Sequence, residues 1–372
     1  MIEISPLPDG RILEQRWSNL AASSPHSFFL SWKWISTWLR CIPSTIKPEL
    51  LTVSWHDRPV AVAILVKRTI WRHKLIPVRT WVLNATGSRR FDSICTEHNG
   101  LLAAAEHEHA AWDEVLDYFS THEQDWDEFQ LDGVPPWLAD AWARRGMTVR
   151  QTRLDIGRFL DLDRVRASPS GSCIAILAPR LRTRLRHTLS AVERRFGPVA
   201  ITAPATVHEA RSFFAELKEL HIKRWRGKPH GDAFDIPFFE RFHNNLIDCC
   251  FSDGYVQLVR VRAGPTTLGL LYNFVYQGRV SFYQSGINYA AAERGDSIGL
   301  LIHALLIDHN ARQGHAIYDM LAGDAQYKRA LAALTVPLWW GELQAERRKL
   351  RAAEVVTSSL QGVRAVVRGF LR

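Results

Sequence analysis

The chain has 372 residues, of which 47% are hydrophobic and 23% are charged, and it carries a formal net charge of +9. This length is long for one domain and suits two domains, each able to bury its own core. The composition is that of an ordinary soluble globular protein and excludes an intrinsically disordered chain. A basic chain can bind nucleic acid, an anionic membrane surface or a phosphorylated ligand, and composition alone does not choose among them.

The five cysteines and the hydropathy pattern indicate the compartment. Cys249 and Cys250 are the only close pair, and adjacent cysteines suit neither a zinc site nor a secreted disulfide framework. The N-terminus lacks a basic region followed by an apolar core, and no apolar run approaches the ~18 residues needed to span a bilayer. We therefore expect a reducing compartment, a cytoplasmic protein and no metal site.

Residues 1 to about 165 predict a first α/β unit. Periodicity and turn residues predict helices over 27–40, 110–120 and 137–145, and strands over 50–55, 60–67, 129–131 and 159–162. A loop over residues 91–100 gathers four reactive side chains: Asp92, Cys95, Glu97 and His98. Their spacing fits no zinc pattern, and no partner for a cysteine nucleophile is evident, so we interpret the segment as an ordinary loop.

Residues 166–172 have the Ser, Pro and Gly content of a linker, which predicts a domain boundary between 165 and 175. A basic amphipathic helix follows over 179–195, with Pro179 near its start and Gly197 just past its end. We interpret its arginines as the solvated face of a packed helix. The C-terminal segment, 345–372, predicts a second basic amphipathic helix that docks on the first unit or on an anionic membrane, the alternative being a frayed surface helix.

The second unit begins with the basic helix and continues with helices over 207–225 and 238–250. Strands over 256–262, 267–276 and 279–287, joined by tight turns, then predict an antiparallel meander. On the last of these strands, Tyr283 and Ser285 share one face and Gln284 lies opposite. We therefore expect Tyr283 and Ser285, but not Gln284, to face a common site.

A possible ligand contact lies at the end of the 207–225 helix. His221 and Arg224 are three residues apart and share a helical face, so they can converge on a ligand. The alternatives are that the helix dipole attracts cations there and that Trp225 is a core residue. The following loop, 227–231, is expected to form a mobile lip over the site.

Residues 292–331 predict a loop, a helix, a strand, a turn and a second helix. The loop over 293–299 precedes an apolar run with helical spacing, which places Ser297 and Gly299 at the start of a helix. Free backbone N–H groups and the positive end of the dipole make such a start an anion site, and small residues let a pyrophosphate approach closely. The sequence therefore predicts a site for a phosphate-bearing cofactor.

Asp319 lies within the predicted strand over 316–321, where a carboxylate is costly unless it is paired or functional. It is a candidate general base. It can equally pair with Lys328 or Arg294, or hold the turn at Gly323. Asp324 is most simply the N-cap of the last helix, with Lys328, four residues on, as its ion partner.

Motifs in this second unit resemble those of a known family. The segment Arg294-x-x-Ser297-x-Gly299 resembles the acyl-CoA pyrophosphate loop of GNAT-superfamily N-acetyltransferases, Q/R-x-x-G-x-G/A, with serine in place of the first glycine. Residues 318–328, YDMLAGDAQYK, are similar to the D-F-x-x-G-D-x-x-Y-K signature of the CelD-like acetyltransferases. This GNAT branch is related to the FemAB aminoacyltransferases and named for a cellulose-biosynthesis protein. His221-x-x-Arg224-Trp225 looks like its H-x-x-R-W element.

The resemblance implies an α/β fold of two tandem GNAT-like acyl-CoA N-acyltransferase units, with mixed, mostly antiparallel sheets flanked by helices. It implies a degenerate N-terminal domain over 1–165, a catalytic domain over 175–344 and a basic tail over 345–372. The co-substrate is then acetyl-CoA or another acyl-CoA, without a metal. The residues expected to bind it are Arg294, Gly295, Asp296, Ser297, Ile298 and Gly299.

The resemblance also suggests catalytic roles. In GNAT enzymes a tyrosine on the helix after the fifth strand often lies near the CoA thiolate, and Tyr327 occupies the comparable place. Its alternative role is to pack the helix start against the sheet. Asp319 and His221 are the other catalytic candidates. The residues expected to contact the acceptor are Arg224, Trp225, Tyr283, Ser285 and Lys328. The family has a similar acidic loop near residues 91–100, which could reach the acceptor at the domain interface.

The leading hypothesis is an acyl-CoA-dependent N-acyltransferase, with acetyl transfer to an amine of a sugar, an amino acid or a polysaccharide precursor. Its partner is then a small-molecule or glycan amine acceptor, with peripheral membrane contact through the C-terminal tail as an addition. One alternative is a FemAB-like transferase that uses aminoacyl-tRNA, for which the basic helix would bind the RNA. Another is a non-catalytic GNAT-fold subunit of an exopolysaccharide or cellulose system.

Overall fold

The computed structural model describes residues 1–121, 125–225 and 233–353. The strands are β1 (Ile2–Pro6), β2 (Pro48–Trp55), β3 (Arg58–Arg72), β4 (Ile76–Leu83), β5 (Leu102–Ala103), β6 (Glu128–Val134), β7 (Thr148–Asp161), β8 (Val199–Thr202), β9 (Val256–Ala263), β10 (Thr266–Tyr276), β11 (Arg279–Ile287), β12 (Ile317–Ala322) and β13 (Leu334–Gln344). The helices are α1 (Gly10–Ala21), α2 (Trp32–Cys41), α3 (Glu108–Thr121), α4 (Trp137–Arg144), α5 (Leu162–Arg166), α6 (Cys173–Ile176), α7 (Pro179–Phe196), α8 (Val207–Trp225), α9 (Pro237–Cys250), α10 (Ile298–Arg312) and α11 (Gln326–Leu331).

All these strands belong to one sheet, and most of its pairings are antiparallel. Their order is β1-β2-β3-β4-β6-β13-β7-β12-β11-β10-β9-β8, with β5 beside β3. Within the described part of the chain, the parallel pairings are β4 with β6 and β11 with β12. Each of these pairs is connected through a helix, α3 in the first half and α10 in the second. The two halves therefore repeat one topology, which confirms the predicted fold class of tandem units with mostly antiparallel sheets flanked by helices.

The two halves exchange strands at the centre of the sheet. The last strand, β13, lies between β6 and β7 of the first half, and β7 lies between β13 and β12 of the second. The central pairing is long, from Leu334 opposite Phe159 to Gln344 opposite Thr148. The predicted boundary at 165–175 falls after β7, so β13 comes from the predicted catalytic domain and completes the sheet of the first half. The domain limits themselves stay a prediction.

A shared core joins the halves. Helices α1 and α2 from the first half and α8 and α9 from the second pack between the facing surfaces of the sheet. The ring centroids of Trp34 and Phe242 lie 4.8 Å apart, and those of Phe28 and Phe274 lie 4.6 Å apart. Aromatic contacts of this kind add to the burial of apolar area. Much of the tryptophan-rich N-terminal sequence is therefore the interface between the halves.

In the first half, the chain itself fills the space beyond the parallel pair β4–β6. Asn99 lies between the two strand ends, because its side chain donates to the Leu83 carbonyl (3.2 Å) and its backbone N–H donates to the Gly133 carbonyl (2.9 Å). Asn84 donates to the Asn99 side chain at 2.8 Å. Both asparagines are buried and satisfied, as buried amides require. The first half thus has no open gap between these strands.

The C-terminal segment packs on the first half as far as it is described. Residues 348–353 are helical, Leu350 and Ala353 are buried, and Lys349 pairs with Asp127 at 2.5 Å. The rest of the predicted tail, 354–372, and the predicted lip over 227–231 lie outside the described residues. No helix within the described ranges is both long and apolar enough to cross a membrane.

Several elements differ from the sequence prediction. The helix predicted over 27–40 begins only at Trp32, because the Ser31 side chain accepts the Trp34 N–H (3.3 Å) and caps α2 there. The strands predicted over 129–131 and 159–162 are the longer β6 and β7. The sequence analysis did not predict β1, α1, β4, β8 or β13.

Candidate functional site

The candidate site lies where β11 and β12 part. Their parallel pairing covers only Arg279–Ser281 on β11 and Ile317–Asp319 on β12. Beyond it, β11 continues along β10 to Ile287 while β12 turns away. A cavity of 630 Å³ occupies the gap. In the first half the equivalent gap is filled by Asn84 and Asn99, so only the second half offers this opening among the described residues.

Most of the predicted site residues line the cavity. Those that do are His221, Arg224, Trp225, Tyr283, Ser285, Asp296, Ser297, Ile298, Gly299, Tyr327 and Lys328. Asp319, Arg294 and Gly295 do not line it; Arg294 and Gly295 lie on the exposed part of the loop. Residues that the sequence analysis did not assign to the site also line it, among them Cys95, Glu97, His303 and Leu321.

The start of α10 opens onto the cavity, as the phosphate-loop motif predicts. Ser297 is the N-cap residue, and its backbone N–H donates to Thr188 Oγ1 at 3.2 Å. The first N–H groups of a helix have no partner within the helix, and here residues 298–300 face the cavity. A Cβ atom on Gly299 would meet only the Tyr289 hydroxyl, at 3.7 Å. The glycine thus leaves the backbone accessible, and this end of the cavity fits a pyrophosphate.

The loop before α10 is fixed by charge. Asp296 accepts the Glu293 N–H at 3.0 Å and pairs with Arg195 of α7. Burial would raise the pKa of Asp296, but the hydrogen bond from Glu293 and the Arg195 guanidinium outweigh burial and hold that pKa below its ordinary value. The Asp296 carboxylate therefore orders the loop and is neutralised by an arginine, so it is not available as a direct ligand.

A β-bulge in β11 brings three consecutive side chains to the cavity. Tyr272 pairs with Gln284 and Asn273 pairs with Phe282, so Tyr283 has no partner across the strands. The prediction that Gln284 lies opposite Tyr283 and Ser285 is wrong, because the bulge breaks the alternation and all three line the cavity. The Tyr283 hydroxyl donates to the Ile94 carbonyl of the first half, which ties the loop over 91–100 to the bulge.

The H-x-x-R-W segment lies at the mouth of the cavity. His221 Nδ1 is 2.9 Å from the Ser285 carbonyl oxygen, so the Nδ1–H group donates a hydrogen bond there. The Arg224 guanidinium stacks on the Tyr289 ring at 4.3 Å. Trp225 is 40% exposed and therefore not a core residue. The structure thus brings these side chains together beside the cavity, as the shared helical face predicts.

Tyr327 lies on the opposite wall, against a buried histidine. Its ring stacks on His303 of α10 with centroids 5.3 Å apart. Burial raises the pKa of Tyr327 to about 12 and lowers that of His303 to about 3, so both rings are neutral near pH 7. His303 is 4% exposed, and its Nδ1 atom has no hydrogen-bond partner among the residues that the structure describes. His303 was not among the predicted site residues. A histidine within an otherwise apolar helix was the sequence signal that could have indicated it.

Asp319 is fully buried and held by partners other than those expected. Its carboxylate lies 2.7 Å from Arg279 Nη1 and 3.1 Å from His98 Nε2, and it accepts the Leu321 N–H at 2.8 Å. The expected pairing with Lys328 or Arg294 is wrong. Burial would raise the pKa of Asp319, but His98 and Arg279 outweigh burial and lower it.

The backbone beside Asp319 has a sharp irregularity. Leu321 has a φ of 58°, a conformation costly for a branched side chain, and the register between β12 and β7 shifts there. Glu97 accepts the Ala322 N–H, and Lys328 Nζ donates to the carbonyl oxygens of Leu321 (3.2 Å) and Ala322. Burial lowers the pKa of Lys328, with Glu97 and Asp319 opposing that shift. The side chains of Asp319, Glu97 and Lys328 thus satisfy the backbone groups of this bend.

The loop over 91–100 lies beside the cavity, and its interpretation as an ordinary loop without a metal or a cysteine nucleophile stays a prediction. Cys95 and Glu97 line the cavity, and His98 reaches Asp319. Burial raises the pKa of Glu97, although the Ala322 N–H opposes that shift. Cys95 is exposed within the cleft, yet surrounding protein raises its thiol pKa to about 11, so it is not an activated nucleophile. The cluster of polar residues in the sequence was the signal for this loop. Its position beside the cavity depends on contacts between residues far apart in the chain.

The prediction for Asp324 is also wrong. The N-cap of α11 is Ala325, and no side chain caps that helix. Asp324 instead pairs with Arg158 of β7 at 2.8 Å and with Arg329 at 2.6 Å. Lys328 is unavailable to it because that side chain points inward to the bend of β12.

Metal chemistry has no evident site in the described part of the chain. Across residues 1–121, 125–225 and 233–353, no three His, Cys, Asp or Glu side chains are arranged to hold a metal ion.

Comparisons with known proteins agree with this geometry. Residues 179–329 match the family described as acetyltransferase (GNAT) domain. The fold is similar to the crystal structure of FemX, with 11% identity over 92% of this chain and 96% of that one, at a TM-score of 0.55. It is also similar to L-PGS from Bacillus licheniformis, with 11% identity over 97% and 98% of the two chains and a TM-score of 0.51.

A tandem GNAT protein from the clavulanic acid biosynthesis pathway matches with 14% identity over 93% of this chain and 98% of that one, at a TM-score of 0.47. No curated protein sequence matches significantly. The structural likenesses concern the fold alone. The strand gap between β11 and β12 lies within the residues that match the acetyltransferase (GNAT) domain.

Asp319→Asn is expected to destabilise the protein, because it leaves Arg279 without its buried counter-charge. We expect a loss of about 2 kcal/mol at pH 7, below the ~3–5 kcal/mol of a fully buried pair because Arg279 is partly in water. The folded-state pKa of Asp319 is lowered, so its contribution is complete above about pH 5 and is lost as pH falls through the folded-state value.

Urea unfolding of both proteins at neutral and acidic pH measures this effect. The difference between wild type and Asp319→Asn should narrow on acidification. Asp324→Asn, which alters an exposed carboxylate with two arginine partners, should change stability little. A difference that is independent of pH would show that Asp319 is not charged in the folded protein.

Proposed function

We propose that the protein is an acyl-CoA-dependent N-acyltransferase of the CelD-like branch, with its donor in the gap between β11 and β12. The single observation that carries this proposal is the start of α10, whose first residues, 297–300, line the cavity where β11 and β12 separate. A pyrophosphate at this helix start would meet free donors and the positive end of the dipole. Acetyl-CoA or another acyl-CoA supplies the acyl thioester.

The acceptor is proposed to approach from the junction of the two halves. There the cavity is lined by Cys95 and Glu97 from the first half and by Arg224 and Trp225 from the second. Such a mouth has hydrogen-bonding groups, a cation and an exposed aromatic ring, which suit a polar amine such as an amino sugar or a polysaccharide precursor. In this proposal the first half, 1–165, shapes the acceptor site and the second, 175–344, binds the donor.

Glu97 is the proposed general base. An amine must lose a proton as it attacks a thioester, and the base must be free to accept it. Asp319 is held by Arg279, His98 and the Leu321 N–H outside the cavity, whereas Glu97 faces the cavity and has a raised pKa. We therefore assign the proton transfer to Glu97 and give Asp319 the role of positioning the bend of β12. His221, which donates to Ser285, is proposed to orient the acceptor.

Tyr327 is the proposed acid that protonates the departing thiolate. Its hydroxyl belongs to a side chain that lines the cavity on the wall next to α10. A pKa raised to about 12 keeps the phenol protonated near pH 7, as a proton donor must be.

A second candidate function is aminoacyl transfer from tRNA, as in the FemAB relatives. The observation that favours it is the exposed face of α7, where Arg180, Arg184, Arg186 and Arg194 are paired with no acidic side chain among the described residues. Such a face could bind RNA phosphates. Direct binding of acetyl-CoA without tRNA distinguishes the two.

Gly299→Glu is expected to weaken acetyl-CoA binding by about 100-fold or more, because a carboxylate would stand at the proposed pyrophosphate position. The added Cβ atom would meet only the Tyr289 hydroxyl, at 3.7 Å, so we expect the fold to survive. Isothermal calorimetry measures the affinity. Gln313→Glu is the control, since it adds the same charge at the other end of α10. Equal affinities for a folded Gly299→Glu and wild type would place the donor elsewhere.

Glu97→Gln is expected to lower kcat/KM by about 10²- to 10⁴-fold, because the amide cannot accept the amine proton. In the wild type, kcat/KM should rise with pH through the raised pKa of Glu97, since only the carboxylate is active. The variant should lack this acidic limb while binding acetyl-CoA normally. Glu106→Gln, at an exposed carboxylate, is the control. An unchanged pH profile in Glu97→Gln would move the base to another group.

Tyr327→Phe keeps the ring and its stacking on His303 and removes only the hydroxyl. Loss of a positioned acid should lower kcat by about 10²- to 10⁴-fold and leave acetyl-CoA affinity nearly unchanged. Steady-state kinetics and calorimetry separate the two effects. A kcat within about threefold of wild type, well short of the loss expected for a catalytic acid, would assign Tyr327 to packing.

A further inference from the structure

The hairpin formed by β3 and β4 extends beyond the rest of the sheet. On one side, β2 pairs with β3 only as far as Pro48 opposite Val66. On the other, β6 pairs with β4 only from Thr80 opposite Glu128. Residues 69–79 pair with each other, from Thr69 opposite Arg79 to Arg72 opposite Ile76, and form a two-stranded ribbon. We call residues 69–79 the ribbon.

The tip of the ribbon exposes two large apolar side chains. Trp71 is 61% exposed and Leu75 is 80% exposed. Between them, His73 and Lys74 have positive φ values of 51° and 61°, which form a tight hairpin turn. Tryptophan and leucine at a convex tip gain nothing from water, and burying them in an apolar medium is favourable. Two such side chains at the tip of a hairpin suit insertion into an apolar interface.

The surroundings of the tip are basic. Lys67 and Lys74 are exposed and pair with no acidic side chain among the described residues. Nearby acids are already neutralised: Asp127 by Lys349 and Arg79, and Glu128 by Arg72.

The C-terminal segment adds further positive charge. The helical residues 348–353 contact the ribbon, with Lys349 Nζ 3.0 Å from the Pro77 carbonyl and His73 Nε2 3.2 Å from the Ala353 carbonyl. The described residues 348–353 include three Lys or Arg residues and no Asp or Glu. An apolar tip surrounded by cations is complementary to a bilayer with anionic headgroups.

We propose that the ribbon attaches the protein to anionic membrane surfaces, with Trp71 and Leu75 inserted at the interface and the surrounding cations on the headgroups. Tryptophan is enriched at this depth because its ring is apolar and its N–H is polar. This proposal is independent of the reaction proposed above. The sequence predicted membrane contact only through the C-terminal tail. The ribbon adds a second contact, with two side chains, Trp71 and Leu75, that can enter the bilayer interface.

Co-sedimentation of the full chain with vesicles tests the proposal. Binding should be strong to phosphatidylcholine vesicles with about 30% phosphatidylglycerol and weak to phosphatidylcholine alone. Trp71→Ala with Leu75→Ala should lower the partition coefficient about tenfold. Trp55→Ala with Leu154→Ala, which removes the same residue types from other exposed positions, should leave it unchanged. Raising salt from about 0.1 to about 0.5 M should weaken binding.

Three results would overturn the proposal. The first is no binding of wild type to anionic vesicles. The second is equal binding by the two double variants, which would assign attachment to the basic tail alone. The third is a dimer, seen by sedimentation without lipid, that the Trp71 and Leu75 substitutions dissociate while vesicle binding persists; the tip would then bind a second copy. Circular dichroism and melting temperatures verify that both variants are folded.

Discussion

The reciprocal exchange of β7 and β13 is the constraint on which the candidate site depends. Each strand completes the sheet of the other half. On β7 their pairing extends from Phe159 to Thr148. This fixes the first half against β12, so the loop over 91–100 can place Glu97 and His98 beside a strand of the second half. The paired strands therefore hold the site residues of the two halves in position relative to each other. Its geometry is set by backbone hydrogen bonds, which tolerate little displacement.

The bend of β12 explains why several charged side chains are buried together. Leu321 holds a strained conformation, and its neighbours' polar groups would be unsatisfied without side-chain partners. Asp319 and Glu97 supply acceptors, and Lys328 supplies a donor. The charges of these groups partly cancel one another, which reduces the cost of their burial. Asp319 and Lys328 belong to the motif that resembles a catalytic signature, yet both form hydrogen bonds with the backbone of this bend.

Local sequence signals were sufficient for several elements that local interactions decide, although they misplaced the start of α2 and the N-cap of α11. The helix predicted over 207–225 is α8, and Ser297 is the N-cap of α10, because periodicity and capping act within a few residues. The placement of β13, the arginine partner of Asp319 and the position of Glu97 depend on contacts between residues far apart in sequence. The bulge at Tyr283 likewise overrode the alternation on which the assignment of Gln284 was based.

The exchanged strands also determine when the fold can be completed. As the chain leaves the ribosome, β6 and β7 emerge well before β13, the strand that must lie between them. Until β13 arrives, the two strands face a space with unpaired backbone groups, and the first half cannot close as an independent domain. Pairings over such sequence separations also fold slowly, because loop closure precedes the gain from contact. The two halves therefore mature together, after synthesis of the last strand, rather than one after the other.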